Sequence, residues 1–404
     1  MKTKDSINAL IKKRRAKVYT ASEIKEMIRC GRIPSADEVD VVTCGTFGVM
    51  SGTMAVISVP VAGPGSFERA DTIRLNGVPG IPGPCPNENL GIVDCVVYGT
   101  SGRDGRYGGG HLFRDIVNGN PIVAEVTSRG KEFRKELTIA DMHARMITTR
   151  GAFRNYTAFF NRDSGSRDTI FSVTGMKGSM KEASVSGCGE INPIQNDHAH
   201  YLREGAPILI NGGRGIILGP GTRSSASRPN ISAAADMKNM KADLMGGFIT
   251  SAGPECMTSF TAAMPITDRA SLDGVFVLDD SIELPVADIH TRVPAASASY
   301  GDVWTGTSRN ITVNAEMCMN CSSCRPMEVC PTEALRPARI NIGMCVVCGS
   351  CVSSCAGGVF SADLGHINCN GTKIPITLRQ SDRNRAERSA EDLKRMIEEG
   401  KWCL

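Results

Sequence analysis

A chain of 404 residues, 41% of them hydrophobic, can bury its own core, so its sixteen cysteines are not required as staples of a small disulfide scaffold. A formal net charge of +4, with acids and bases mixed along the chain, gives no nucleic-acid groove, and no apolar run approaches the length of a membrane span. The basic first residues have no apolar run behind them, so a soluble cytoplasmic protein is expected, with neither membrane nor nucleic acid among its partners.

Lys12-Lys13-Arg14-Arg15 reads as a solvated basic helix face. Next comes TASEIKEMIRCG, with Thr20 and Glu23 at capping-box spacing, Ile24, Met27 and Ile28 on one face and Gly31 as a stop, which predicts a short amphipathic helix. From there the chain alternates β-type runs (VDVVTCG, MAVISVPVAG, IVDCVVYG, PIVAEVTS, TIFSVTG, APILINGG, GIILG, GGFITSAG, GVFVLDD) with Gly-rich turns. Helices are expected around Asp115, from Ile139 to Met146 and from Ala233 to Met240. The fold class is therefore α+β, with a large strand-rich, Gly-rich domain.

In that domain Cys44 sits in VVTCGTFGVMSG, where an apolar strand meets a Gly-rich turn that would expose a thiolate and lower its pKa. Cys85, Cys188 and Cys256 occupy similar Gly- or Pro-flanked settings, whereas Cys95, Cys30 and Cys403 read as structural. Cys44, Cys85 and Cys188 are the candidate catalytic thiols. His111, after YGGG, and His198 and His200, in NDHAH, are candidate acids, bases or orienting groups. NGGRGIILGPGTRSS offers Arg214 and Arg223 beside Gly-rich turns, a nest for a carboxylate, sulfonate or phosphate; it matches no nucleotide fingerprint.

Composition changes at about Asn310, which divides the chain into 1–310, 311–365 and a tail, 366–404. Cys318-x2-Cys321-x2-Cys324-x5-Cys330-Pro331 is followed by Cys345-x2-Cys348-x2-Cys351-x3-Cys355, nearly the spacing of a two-cluster ferredoxin. Three thiolates at intervals of three wrap one cubane and the fourth crosses over. Cys318, Cys321, Cys324 and Cys355 are thus expected to hold one [4Fe–4S] cluster, and Cys345, Cys348, Cys351 and Cys330 the other. Zinc also takes Cys-x2-Cys pairs, but eight thiolates in two triplet runs suit it poorly. The departures are the five residues between Cys324 and Cys330 and Ala356 where proline is usual. A short helix, TEALRP, is expected after Pro331, and the tail should end in a helix capped by Ser389, with Leu393, Met396, Ile397 and Trp402 on its apolar side.

Through VDVVTCGTFGVMSGT, YGGGH, SGCGEINPIQND, NGGRGIILGPGT and DMKNM, residues 20–300 resemble the homocysteine-biosynthesis family of aspartate-semialdehyde sulfurtransferases. With the cysteine-dense segment added, the chain is similar to the branch called methanogenesis marker protein 16 metalloproteins. The resemblance implies that an aldehyde, a sulfur donor and two electrons give a thiol, with a cysteine persulfide on the way. Family members carry a cysteine just after the GTFG turn, where this chain has Ser51, and a second near the position of Lys131, where it has none. Cys44, Cys85 or Cys188 would then carry sulfur, Cys44 first, or sulfide is used directly. The expected substrate is a small anionic aldehyde, sulfoacetaldehyde first and aspartate semialdehyde next, with sulfide or a persulfide as sulfur source and a low-potential donor such as ferredoxin. The alternative is an iron–sulfur electron-transfer or assembly factor for another enzyme. The sequence leaves open whether the chain forms a homo-oligomer.

Overall fold

The computed structural model describes residues 2–154, 157–196, 201–222, 224–369 and 371–404. The predicted capping box closes as its spacing requires: Glu23 N–H donates to Thr20 Oγ1 at 3.1 Å and Thr20 N–H to Glu23 Oε2 at 2.8 Å, starting the helix Ala21–Arg29. Ile24 is buried, Met27 and Ile28 pack at its edge, and Gly31, at φ +78°, turns the chain away. The basic run that precedes it is exposed throughout.

The architecture is mixed and strand-rich. A 14-stranded sheet, mostly antiparallel, has Val41–Val49 and Gly253–Pro265 side by side near one end. Both strands are almost wholly buried, because a helix, Arg383–Glu398, lies across them. A Cβ on Gly45 would fall 2.1 Å from the Ala386 carbonyl oxygen, so only glycine lets helix and strand approach this closely. A second sheet of six strands runs Pro294–Ser299, Glu283–Asp288, Ala158–Phe160, Ala183–Val185, Thr372–Arg379, His366–Cys369. Its two edge strands meet, so the sheet nearly closes into a barrel around Phe160, Val185, Leu284, Ile367 and Ile376.

Residues 366–404, read from the sequence as a polar tail, supply two strands of that barrel and the helix that covers the large sheet. The helix begins earlier than predicted, with Asp382 as its N-cap accepting the Arg385 N–H at 3.1 Å. Ser389 lies inside it, buried, donating to the Ala386 carbonyl at 2.8 Å and receiving the Thr261 hydroxyl at 2.8 Å. Leu393, Ile397 and Trp402 pack with Ile7 and Ile11 of the first helix, Lys4–Lys12, as the apolar spacing anticipated.

Other predicted elements change type. The helix expected around Asp115 is present as Gly109–Val117. The one expected from Ala233 to Met240 is instead the strand Ile231–Asp236 and a 3-10 turn, and the one from Ile139 to Met146 gives way to the strand Arg145–Gly151. Ala233 and Ala235 favour helix intrinsically, but they alternate inward between two neighbouring strands, and packing overrides propensity. TIFSVTG and GVFVLDD form turns rather than strands. Thr332–Pro337 contains a two-residue strand, Leu335–Arg336, in place of the predicted helix; the helical turn lies in the five-residue insertion, at Arg325–Glu328. Among the described residues no helix is long and apolar enough to cross a membrane.

Candidate functional site

The cysteine-dense segment is built from two short two-stranded pairings, Thr312–Val313 with Phe360–Ser361 and Leu335–Arg336 with Arg339–Ile340, and two short helices, Arg325–Glu328 and Ser350–Ser354, that pack together. The two cysteine runs repeat one backbone device. Asn320 and Val347, each the second residue between the first two cysteines of its run, are left-handed, at φ +50° and +51°. Asn tolerates this conformation, whereas a β-branched valine there costs about 1–2 kcal/mol, which the surroundings must offset.

Cys330, Cys345, Cys348 and Cys351 lie near one another: each of the last three is within electrostatic range of at least one other thiol of the set. Burial and then the neighbouring thiols push the Cys351 pKa up to about 12, and burial raises Cys348 and Cys345 as well. Backbone N–H groups point at two of the sulfurs, Ala334 at Cys330 (3.2 Å) and Val347 at Cys345 (3.4 Å). Crowded thiols, three of them buried and Cys345 half-buried, with amide donors aimed at two, suit a cationic cluster core, which would let all four ionise. Among the described residues no three His, Cys, Asp or Glu side chains converge on a single ion; a cubane meets its thiolates at separate corners. The other four, Cys318, Cys321, Cys324 and Cys355, are half-buried or exposed. Gly357 brings the Cys355 turn against residue 317, and Cys318 and Cys355 share one small core with Cys330 and Cys351.

The buried set is fastened to the large sheet and the barrel. Arg385 Nη1 donates to the Cys345 carbonyl at 2.6 Å and Nη2 to Gly343 at 2.8 Å, the Arg379 N–H reaches the Cys348 carbonyl at 2.9 Å, and the Ile249 N–H reaches Pro331 at 2.9 Å. Cys348 belongs to the same apolar core as Phe47 and Cys188, and the Arg385 guanidinium lies 5.3 Å from the Phe47 ring centre.

On the far side of Phe47 is a cavity of about 840 Å³. Thr46, Gly48 and Ser51 of the GTFGVMS run form one wall, and Ser186 and Gly187 of SGCG another. Arg150, Arg154, Arg228 and Arg292 also line it, and no acidic side chain does among the described residues. Arg154 is 6% exposed; its Nε donates to the Gly189 carbonyl at 3.2 Å, and its Nη2 has no partner among the described residues. Arg150 donates to Thr222 Oγ1 at 3.1 Å, and Arg292 stands 4.4 Å from the Phe171 ring centre. Clustered guanidiniums in such a lining make a seat for an anion.

Cys188 adjoins this cavity. Its sulfur accepts the Phe47 N–H at 3.3 Å and lies 3.9 Å from Thr46 Oγ1, while burial pushes its pKa up to about 12. The turn that carries it is held from below: Arg383 Nε donates to the Cys188 carbonyl at 3.0 Å, and Arg383 and Lys25 both pair with the buried Asp279. Burial acts to raise the Asp279 pKa, but the charges of Arg383 and Lys25 outweigh it and hold the carboxyl at about 2.

Cys44 is not at an exposed turn. It lies inside Val41–Val49, 2% exposed, and desolvation pushes it up to about 11. Cys85 is half-buried at the start of the 3-10 helix Pro86–Leu90, beside Asp94, and Cys256 is buried within a strand. Cys95 is buried mid-strand, as expected, and Cys30 and Cys403 are exposed. His111 does not line the cavity: its Nδ1 accepts the Gly108 N–H at 3.2 Å, its ring stacks on Tyr107 at 5.4 Å, and burial lowers its pKa to about 4. Arg214 is engaged elsewhere too, bonded to the Lys401 carbonyl and 5.6 Å from the Trp402 ring centre. Arg223, His198 and His200 lie outside the described residues. The four cavity arginines escaped sequence reasoning because they come from three separate segments; the one local signal was RGAFR, with Arg150 and Arg154 flanking a strand end.

The cavity, lined by four arginines and backed by the Cys188 turn, is the candidate small-molecule site of a mixed, strand-rich protein with many free cysteines. The family can be stated outright: the chain belongs to the family described as "Homocysteine biosynthesis enzyme, sulfur-incorporation", which matches residues 16–404. It is 43% identical to an uncharacterized protein of Methanothermobacter thermautotrophicus, over 98% of this chain and 93% of that one. It is 40% identical to an uncharacterized protein of Methanocaldococcus jannaschii, over 96% and 99%. A more distant relative, 28% identical over 71% of this chain and 58% of its own length, is the L-aspartate semialdehyde sulfurtransferase of M. jannaschii. No solved structure matches.

Proposed function

We propose that the protein inserts sulfur reductively into a small anionic aldehyde to give a thiol, converting sulfoacetaldehyde to coenzyme M in first place and aspartate semialdehyde to homocysteine in second. The observation that carries this reading is the cavity with four arginines and, among the described residues, no acidic lining. A sulfonate or carboxylate finds donors there, Arg154 Nη2 foremost, whereas the ammonium of an amino-aldehyde meets no carboxylate in that lining. Membership of a sulfur-incorporation family supports the reaction class, and relatives of similar length in two methane-producing archaea support the marker protein 16 branch.

The overall change consumes one aldehyde, one hydrogen sulfide, two protons and two electrons, and yields one thiol and one water. Residues 311–365 are read as a ferredoxin-like domain, on the support of its two-stranded pairings and the repeated left-handed residues. Two [4Fe–4S] clusters, on Cys318, Cys321, Cys324 and Cys355 and on Cys345, Cys348, Cys351 and Cys330, would supply single electrons when bound, drawn from a cytoplasmic donor such as ferredoxin. Cys188 is the thiol best placed to carry sulfur to the cavity. It touches Thr46, adjoins Gly187 and shares a core with Cys348. Its raised pKa favours the neutral thiol at rest. Loaded by a persulfide donor, it would carry sulfane sulfur, whose transfer takes two protons and two electrons beyond those of the sulfide reaction.

The test is an anaerobic assay of cluster-replete protein with sulfide or a persulfide donor, a low-potential reductant and either aldehyde, scoring the thiol. Coenzyme M should form, and Cys188→Ser should abolish its formation from the persulfide donor without changing the iron content; where sulfide serves directly, Cys188→Ser keeps its turnover. Failure of both aldehydes with reducible clusters would transfer the case to an electron-transfer or assembly role.

A further inference from the structure

The proposed reaction must protonate an aldehyde oxygen and expel it as water, yet among the described residues the cavity lining holds no acid. One buried carboxyl stands immediately behind that lining. Glu255, on Gly253–Pro265, is 6% exposed, and its Oε2 has no hydrogen-bond partner among the described residues. Its side chain neighbours that of Ser51, which lines the cavity. Backbone register fixes the pair: Met257 lies opposite Val49, and the Met50 N–H donates to the Cys256 carbonyl at 2.8 Å. Burial raises the Glu255 pKa above the ordinary carboxylate range, with Ser51 opposing it. A carboxylate buried this far without an ion-pair partner is costly, so the site favours the neutral acid.

We propose that Glu255 and Ser51 form a proton relay into the cavity, with Ser51 donating to the aldehyde oxygen and Glu255 replenishing Ser51. The inference rests on the reading above. As hydrosulfide forms the C–S bond, the C=O π pair moves to oxygen. That oxygen takes the Ser51 proton, and Ser51 Oγ takes the proton of Glu255. Glu255 is left as carboxylate, regains a proton from solvent and returns it through Ser51 as the hydroxyl leaves with the C–O pair as water. The sulfur, losing its own proton, closes C=S, and the two electrons and two protons of the overall change reduce that bond to the thiol. Ser51 is the group that touches substrate, and Glu255 acts through it.

Infrared difference spectroscopy tests the relay without turnover. With the pH stepped upward from about 4, the wild type minus Glu255→Gln should show a protonated carboxyl band that persists beyond that of an exposed glutamate, shifts in Ser51→Ala and shifts again when 2-hydroxyethanesulfonate fills the cavity. In the assay, Glu255→Gln should lower thiol formation about 10²–10⁴-fold, with Glu255→Asp recovering part of it and calorimetric binding of the sulfonate unchanged. A Glu255 that ionises with exposed glutamates, a band indifferent to Ser51→Ala and to the sulfonate, or a Glu255→Gln variant with full turnover would each overturn the relay. Should the wild type make no thiol from either aldehyde, the functional reading falls, and the band's response to sulfonate still decides whether Glu255 is a proton store coupled to the cavity.

Discussion

The two cysteine quartets are near copies in sequence and opposites in setting. Cys318, Cys321, Cys324 and Cys355 sit in loops that reach solvent, whereas Cys330, Cys348 and Cys351 are buried, with Cys345 held beneath Arg385. The same four-thiol device is thus a surface feature in one place and part of the shared core in the other. If both quartets hold clusters as proposed, the exposed one is open to a soluble electron donor, and the other shares its core with Phe47 and Cys188.

The widest separation is expected from matched serine substitutions. Cys348→Ser should lose about half the iron and also lower the melting temperature of the whole chain, because Cys348 packs in a core that includes Phe47, Val286 and Ile376. Cys321→Ser should lose a similar amount of iron and leave the melting temperature nearly unchanged, since Cys321 is exposed. Equal melting temperatures for the two variants would erase the distinction.

A smaller effect should come from the ion group beneath the Cys188 turn. Asp279→Asn leaves Lys25 and Arg383 buried without their counter-charge, at a cost of about 3–5 kcal/mol in chemical denaturation, with the exposed quartet's iron unaffected. The pH dependence follows from the sign of the shift. A carboxyl held at about 2 when folded contributes stability above its unfolded pKa, and loses it as pH falls through about 2. Wild type should therefore weaken between about pH 4 and 2 more steeply than Asp279→Asn. Parallel acid profiles would show that Asp279 is not held low.

The smallest contrast is the sharpest. Val347→Gly removes a β-branched residue from a left-handed site and should stabilise the apo chain by about 1 kcal/mol, while Asn320→Gly should change it by a few tenths. Both are measurable by urea titration, and a larger gain at Asn320 would reverse the assignment of strain to the buried loop.

What the sequence disclosed was what neighbouring residues encode. Thr20 and Glu23 wrote a capping box three positions apart, alternation wrote Ile92–Tyr98 and Ile122–Ser128, and the cysteine spacing singled out a quartet, Cys330, Cys345, Cys348 and Cys351, whose thiols lie near one another in the fold. The barrel was hidden because its strands are short and weakly patterned, ASV at Ala183–Val185 and PAASAS at Pro294–Ser299, with β propensity supplied by neighbours rather than by themselves. Cys44 was misplaced because Gly45 and Gly48 look like turn residues, when the first is there to admit a helix and the second to admit the chain at residue 380. Arg214 was chosen for its glycines, but the anion seat is assembled from three segments that only the folded sheets bring together.

The helix over Val41–Val49 has a consequence for biogenesis. Thr43 hydrogen-bonds the Ala390 carbonyl, a partner 347 positions later in the chain. During synthesis the strand is therefore complete long before its cover exists, and the sheet must wait, part of its apolar face bare, until residues 383–398 leave the ribosome. Arg385, which clasps the Cys345 and Gly343 carbonyls, belongs to that same final helix. Fixing the buried cysteine loop is thereby made one of the last acts of folding, and iron offered to a truncated or still-growing chain would meet thiols not yet held in register.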